Sequence, residues 1–269
     1  MQKSSHKRPP SHATYSNIEF DPEFNASPAK RKIGYLKTHK CASTSIQNIL
    51  LRYAIKNELN VVLPPKGGNI LGYEKIFNRD IIKSPFWGKA PISYDMFLCH
   101  ARWNQSEISY VLNETSKNDV FYFTFVRDPV DLFRSSWDYN AFDLEFGRLN
   151  EFTTNKVVSQ LKNKSESIWS KQFGYNCGGW NQMMYDFGLE CKDMNDVKKI
   201  EMKIEEIDKN FDLVLLADKQ YFEDSIILLK NSIHWDYKDM VNFKLNARRP
   251  TDRTKLSYEE RIILKGKNK

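Results

Sequence analysis

Short apolar runs alternate with amphipathic stretches along most of the chain. The first apolar run covers residues 33–36, and a polar loop follows at residues 37–42. After the loop, apolar residues recur at the i, i+3, i+4, i+7 and i+8 spacing of an amphipathic helix. These residues are Ile46, Ile49, Leu50, Tyr53 and Ala54. With Ser43 or Thr44 as a natural N-cap, the segment predicts a strand, a loop and a helix in that order.

The same unit occurs twice more. Residues 121–126 and 211–216 are dense apolar runs, and each is followed by a helical pattern. A further strand is predicted at residues 94–99, and the Lys- and Glu-rich residues 192–210 predict an exposed helix. Near-continuous apolar strands that alternate with helices are typical of a parallel sheet covered on both faces. The predicted fold class is therefore α/β, with three layers and a central parallel sheet flanked by helices.

Composition supports one folded domain preceded by a tail. The chain has 269 residues, of which 41% are hydrophobic and 13% aromatic, as in globular proteins. Residues 1–30 are polar and aperiodic and predict a disordered tail, which leaves residues 31–269 as the domain. No run of about 18 apolar residues occurs and the N-terminus is polar and basic, so neither a membrane span nor a signal peptide is expected. These features are typical of a cytosolic protein. Sequons that begin at Asn104, Asn113 and Asn163 favour a luminal location, so the cytosol and the lumen both stay open.

Charge and cysteine usage narrow the function only slightly. Lys and Arg number 41 against 34 Asp and Glu, and this net charge of +7 suits an enzyme for phosphorylated or sulfated ligands as well as a weak nucleic-acid binder.

The four cysteines are Cys41, Cys99, Cys177 and Cys191. Their spacing is not that of metal ligands. Cys177 and Cys191 are close enough to form a disulfide, and free buried thiols are an equal alternative.

The first loop is a candidate anion site. It reads Lys37-Thr38-His39-Lys40-Cys41-Ala42-Ser43-Thr44-Ser45 and leads into the first helix. A helix N-terminus presents free N–H groups and a partial positive charge, and two lysines and three hydroxyls converge on it here. The loop lacks the G-x-x-x-x-G-K-[ST] spacing, which disfavours a P-loop kinase. The alternative is a well-capped helix with solvated lysines.

A second candidate anion site follows the strand at residues 121–126. Arg127 stands at the strand end, and Ser135 lies about two helical turns further on. A guanidinium and a hydroxyl placed in this way can share one phosphate monoester. The alternative is a surface pair between Arg127 and Asp128. In open α/β sheets ligands bind beyond the carboxyl ends of the strands, which also places His100 at the ligand edge.

Three motifs in this order resemble the galactose-3-O-sulfotransferase family, which includes the galactosylceramide sulfotransferases. They are Leu36-Lys37-Thr38-His39-Lys40 with Ala42-Ser43, then Val126-Arg127-Asp128-Pro129, then Phe243-Lys244-Leu245-Asn246-Ala247-Arg248-Arg249. The resemblance runs from about Lys32 to Arg249. It implies a P-loop-like sulfotransferase fold and sulfuryl transfer from 3′-phosphoadenosine-5′-phosphosulfate (PAPS) to a sugar hydroxyl, with the bisphosphate PAP as product. The 3-OH of a galactose in a glycolipid or glycoprotein glycan is the implied acceptor, without a metal or a nucleic acid.

The resemblance also implies roles for particular residues. Lys40 would contact the oxygen between phosphorus and sulfur, and His100 would act as general base. The implied PAPS-binding residues are Lys37, Thr38, His39, Cys41, Ala42, Ser43, Thr44, Ser45, Arg127, Ser135, Arg248 and Arg249. Arg102 would orient the acceptor sugar or pair with an acid. For His100 the alternative is a hydrogen bond at a strand end, and for Arg248 and Arg249 it is a solvated basic pair.

Two departures from the family pattern leave a second hypothesis for the function. Cys41 stands where relatives more often have a hydroxyl-bearing residue, although its backbone N–H can still contact a phosphate. The chain also ends at Lys269, where relatives usually continue, and a membrane anchor is absent from it. The resemblance implies a type II membrane protein of the Golgi lumen. The rival is a non-catalytic relative that binds a nucleotide or a glycan without turnover.

Overall fold

Five parallel strands form the sheet at the centre of the fold. The computed structural model describes residues 27–65, 67–82, 93–139, 181–241, 256–259 and 261–262. The strands are β1 (Ile33–Leu36), β2 (Val61–Val62), β3 (Met96–Phe97), β4 (Phe121–Val126) and β5 (Leu213–Leu216). Their order across the sheet is β2-β3-β1-β4-β5, and each neighbouring pair is parallel. The predicted parallel sheet is therefore confirmed, with β1 at its centre.

Helices connect the strands and cover both faces of the sheet. They are α1 (Ser43–Lys56), α2 (Gln105–Val111), α3 (Pro129–Tyr139), α4 (Gln182–Asp186), α5 (Val197–Asn210), α6 (Phe222–Ile233) and α7 (Tyr237–Met240). Short 3₁₀ turns lie at Arg79–Ile81 and Cys191–Asp193. The three predicted strand–loop–helix units are present as β1-α1, β4-α3 and β5-α6.

The alternation of side chains along β4 explains the three layers. Phe121, Phe123 and Phe125 belong to the hydrophobic cluster that packs under α1 and α6. Tyr122, between them, belongs to a second cluster on the opposite face, which includes Ile108 of α2. Successive strand residues point to opposite faces of a sheet, so a strand with large aromatic residues on both faces needs cover on both sides.

Some predicted elements differ in extent. The strand predicted at residues 94–99 is hydrogen-bonded as β3 only at Met96–Phe97, and β2 and α2 were not predicted. The exposed helix predicted at residues 192–210 begins later, at Val197, where the side chain of Asp196 accepts a hydrogen bond from the N–H of Lys199. An Asp at the N-cap satisfies one of the free N–H groups and so sets this start.

Gly34 provides a test of the sheet packing. It pairs with Tyr122 across β1 and β4, and a Cβ at this position would lie 2.3 Å from Cδ1 of the Tyr122 ring. The Tyr122 hydroxyl donates to Glu114 at 2.7 Å, which limits movement of the ring. We expect Gly34→Ala to lower the free energy of unfolding by about 1–3 kcal/mol, measured by urea denaturation. In a Tyr122→Ala background the same substitution should cost much less, and an equal cost in both backgrounds would contradict the steric explanation.

Candidate active site

The candidate residues meet at the carboxyl edge of the three central strands. Lys37 directly follows β1, Arg127 directly follows β4, and His100 lies three residues beyond β3. Because β3, β1 and β4 are neighbours in a parallel sheet, their carboxyl ends lie side by side. The sheet topology therefore brings the two predicted anion sites and the predicted base to one edge, where ligands of α/β proteins bind.

The loop between β1 and α1 leaves the start of α1 open to an anion. The N-cap is Ala42, so the prediction of Ser43 or Thr44 as N-cap was wrong by one or two residues. Ala42 and Lys40 adopt left-handed backbone conformations, with φ of 56° and 59°. No side chain caps α1 and its first turn holds no acidic residue. Its N–H groups and partial positive charge are therefore suited to a phosphate.

Several loop side chains point into the protein. Thr38 is fully buried, and its hydroxyl donates to the carbonyl of Phe125 on β4 at 2.5 Å. Cys41 is also fully buried, and burial raises the pKa of its thiol to about 12. Ser43 and Ser45 are buried, whereas Thr44 is exposed. Thr38 and Cys41 can therefore reach a ligand only through their backbone groups.

Arg127 joins the two predicted anion sites. Its Nη1 donates to the backbone carbonyl of Lys40 at 3.1 Å. Its Nε is buried and has no hydrogen-bond partner within the described ranges. Asp128 forms its ion pair with Arg261 at 3.3 Å, so the alternative of an Arg127–Asp128 pair is not what the structure contains. Ser135 lies on α3, half-buried. A guanidinium with an unused donor is a suitable phosphate ligand.

Two lysines supply the positive charge of the loop. The ammonium of Lys40 lies 3.7 Å from the centre of the Tyr139 ring, at the end of α3. Lys37 is buried and donates to Oε1 of Gln47 at 2.6 Å. Burial lowers the pKa of Lys37 to about 8. No carboxylate pairs with Lys37 in the part of the chain that the structure describes, so an anionic ligand would relieve an uncompensated charge.

His100 is held as a neutral imidazole. The backbone carbonyl of Lys37 lies 2.6 Å from its Nδ1. A carbonyl only accepts, so Nδ1 carries the proton and Nε2 is the acceptor nitrogen. Burial, and after it the electrostatic effects of His39, Lys37 and Lys40, lower the pKa of His100 well below 6.5. Near neutral pH the side chain can therefore accept a proton at Nε2. The hydrogen bond at a strand end, offered as the alternative for this histidine, is present, and the role of general base stays a prediction.

His39 connects the loop to a residue that the sequence did not single out. Its ring stacks on that of His100, with centroids 3.9 Å apart and an interplanar angle of 21°. Its backbone N–H donates to Oδ2 of Asp186 at 2.8 Å, and its Nδ1 lies 3.0 Å from Oδ1 of the same residue. Asp186 belongs to α4, in no motif, and is 147 positions away in sequence. Only the folded structure brings it to the site.

Of the other predicted site arginines, Arg102 pairs with an acid and two lie outside the described residues. Arg102 is buried, and its Nη2 contacts Oε1 of Glu190 at 2.9 Å and the carbonyl of Leu189 at 3.1 Å. This is the acid pairing that the sequence offered as an alternative, and orientation of an acceptor by Arg102 stays a prediction. Arg248 and Arg249 lie outside the described residues.

Cysteines, metals and membrane spans add three findings. Cys191 is disulfide-bonded and Cys41 and Cys99 are free, whereas Cys177, its predicted partner, lies outside the described residues. Within the described ranges, no group of His, Cys, Asp and Glu side chains could hold a metal ion. The helices of those same ranges are all too short or too polar to cross a bilayer.

Comparison with known proteins points to one family. A family model described as galactose-3-O-sulfotransferase matches residues 3–266. Galactose-3-O-sulfotransferase 2 of Mus musculus is 31% identical over 84% of this chain and 55% of its own length. Galactosylceramide sulfotransferase of Bos taurus is 30% identical over 86% of this chain and 52% of its own length. The chain therefore spans about half the length of these curated relatives.

Proposed function

The chain belongs to the galactose-3-O-sulfotransferase family, and from this premise we propose that it transfers a sulfuryl group from PAPS to a hydroxyl of a galactose-containing acceptor. The observation that carries the proposal is the meeting of Lys40, Arg127 and His100 around the uncapped start of α1. These residues offer a cation, a second phosphate ligand and a base at one edge of the sheet.

The shape of the loop supports binding of the donor. The N–H groups at the start of α1, with the hydroxyls of Ser43, Thr44 and Ser45, would hold the 5′-phosphate. Arg127, which has an unused Nε, would bind the 3′-phosphate together with Ser135 on α3. Arg127 also holds the backbone of Lys40, so binding at the 3′-phosphate would be coupled to the position of the lysine. The residues present therefore fit a bisphosphorylated nucleotide.

The proposed chemistry is an in-line transfer. The acceptor oxygen forms a bond to sulfur while the bond from sulfur to the bridging oxygen breaks, and that oxygen leaves on the 5′-phosphate of PAP. The hydroxyl proton passes to Nε2 of His100, the nitrogen left as acceptor by the Nδ1 contact with Lys37. The ammonium of Lys40 would stabilise the charge that develops on the leaving oxygen. Catalysis rests on positioning and charge stabilisation, as in phosphoryl transfer.

The names of the relatives support the proposed acceptor, and a disulfide supports the proposed compartment. The relatives are named for action on galactose and on galactosylceramide, which supports a galactose in a glycan or glycolipid, sulfated at its 3-OH. The disulfide at Cys191 supports an oxidising compartment such as the Golgi lumen.

The 3′-phosphate provides a selective test of the donor site. We expect Arg127→Gln to weaken binding of adenosine 3′,5′-bisphosphate by about 10- to 100-fold, because it removes one charge-assisted phosphate contact. Adenosine 5′-monophosphate, which lacks the 3′-phosphate, should bind both proteins with similar affinity. Isothermal titration of the two nucleotides measures the difference. Arg79→Gln, which alters an exposed arginine that pairs with Glu107, is the matched control.

The experiment that tests the function is transfer of labelled sulfate from PAPS to a panel of galactosides. Transfer to terminal galactosides by the wild type, with loss of the label when the 3-OH is blocked, is the expected result. Tight binding of the bisphosphate without transfer to any galactoside would favour the non-catalytic relative. Absence of both transfer and bisphosphate binding would overturn the donor-site assignment.

A further inference from the structure

A buried carboxylate lies behind the anion-binding loop, in a cluster of hydrogen bonds. Asp186 has no exposed surface. Besides the two donors of His39, its Oδ1 accepts from the hydroxyl of Tyr73 and from Nε2 of Gln182, the latter at 3.2 Å. Gln182 also donates to the Tyr73 hydroxyl at 2.5 Å. A buried carboxylate is costly unless its oxygens are satisfied, and here four donors satisfy them.

The cluster fixes both the backbone and the ring of one loop residue. Asp186 accepts from the backbone N–H of His39 and contacts its Nδ1, which places the ring proton on Nδ1. The held ring lies flat against His100 on one side and contacts the ring of Tyr73, with centroids 4.7 Å apart. The next residue in the chain is Lys40, which has a left-handed conformation. Asp186 thus contacts a residue that adjoins both the proposed base and the proposed cation of the site.

We propose that Asp186 is a positioning residue for sulfuryl transfer, which acts through His39 to hold the ring of His100 and the turn at Lys40 in their reactive arrangement. This inference rests on the proposed function. It is separable from a general role in folding, because the main-chain carbonyl of Asp186 accepts from the N–H of Trp103 at 2.8 Å. A side-chain substitution leaves that main-chain contact in place.

The direct test is Asp186→Asn, which keeps the size of the side chain and removes one acceptor oxygen and the charge. We expect kcat for sulfate transfer to fall by about 10- to 100-fold, the range for loss of a carboxylate that orients a functional histidine. Affinity for adenosine 3′,5′-bisphosphate should change little, because both oxygens of Asp186 already accept from donors of His39, Tyr73 and Gln182. Asp196→Asn, which keeps a capping side chain at the start of α5, is the matched control and should retain full kcat.

A double-mutant cycle separates positioning from stability. If Asp186 acts through His39, adding Asp186→Asn to His39→Asn should lower kcat little beyond the single His39 variant. A purely structural role predicts instead that the two losses multiply. Full multiplication, or an Asp186→Asn variant with wild-type kcat, would overturn the inference.

Proton resonances of the imidazole rings give a readout that does not require turnover. In protein labelled with ¹⁵N-histidine, we expect a downfield Nδ1 proton that disappears in His39→Asn and shifts or disappears in Asp186→Asn. If Asp186→Asn does not fold, Tyr73→Phe is the second variant: it removes one donor to Oδ1 and should shift the same resonance. A resonance that is absent from the wild type, or is unchanged in the variants, would overturn the inference. Failure of the wild type to transfer sulfate would count against the proposed function alone.

Discussion

Replacement of Lys40 with alanine should slow sulfuryl transfer by about 10²- to 10³-fold, the loss found when one group that stabilises developing negative charge is removed. The structure predicts that the loss falls on kcat. The backbone of Lys40 is held by Arg127 through its carbonyl, and this contact does not depend on the side chain. Alanine keeps a Cβ on the same left-handed backbone, so the loop should keep its conformation. Affinity for the bisphosphate product should therefore fall far less than the rate.

Two further variants make the Lys40 result specific. Lys56, at the end of α1, forms an exposed ion pair with Asp239 at 2.6 Å, and Lys56→Ala removes a cation from the helix that follows the loop of Lys40. Surface pairs contribute about 0–1 kcal/mol to stability, so this variant should keep wild-type kcat. Lys40→Gly relaxes the left-handed residue and should be as slow as Lys40→Ala. Recovery of activity in the glycine variant would show that backbone strain, and not the ammonium, limits the rate.

The parts of the fold that the sequence predicts are those with a complete local signal. The helix α1 has its apolar residues at regular spacing, and β4 has six consecutive apolar or β-branched residues, so both were found at nearly their observed bounds. β2 contains two residues, and so short a strand has no periodicity to detect. The strand order also required the structure, because pairing across the sheet joins segments that are distant in sequence.

The candidate site likewise contains residues that the sequence predicts and residues that only the structure identifies. Lys37, Lys40 and Arg127 follow predicted strands, and the rule that ligands bind at the carboxyl edge of the sheet is enough to group them. Asp186 was missed because it lies on a five-residue helix outside every motif. Its role depends on a contact with His39 that sequence spacing does not encode. The inward direction of Thr38 and Cys41 was likewise visible only once β4 was seen to pack beside the loop.

Replacement of His100 with alanine should lower kcat/KM by about 10²- to 10⁴-fold, the usual contribution of a general base. The pH dependence gives the more specific result. If His100 is the general base, transfer requires its neutral form, so activity is lost as pH falls through its pKa. Burial and the neighbouring positive groups lower that pKa well below 6.5, so the acid limb of kcat/KM should lie below pH 6.5. The limb should be absent from His100→Ala. His234→Asn, at a residue with φ of 56° that asparagine tolerates, should keep the wild-type profile.

The alkaline limb tests the buried lysine in the same experiment. The pKa of Lys37 is lowered to about 8 by burial, and the lysine is charged only below that pH. If its charge helps to attract the anionic donor, kcat/KM should decline as pH rises through about 8, since this parameter reports the free enzyme. In Lys37→Arg the guanidinium stays charged, and the alkaline limb should move upward or vanish. If the alkaline limb near pH 8 persists in Lys37→Arg, that limb reports the titration of a group other than Lys37. An acid limb at or above pH 6.5 would contradict the lowering of the His100 pKa by burial.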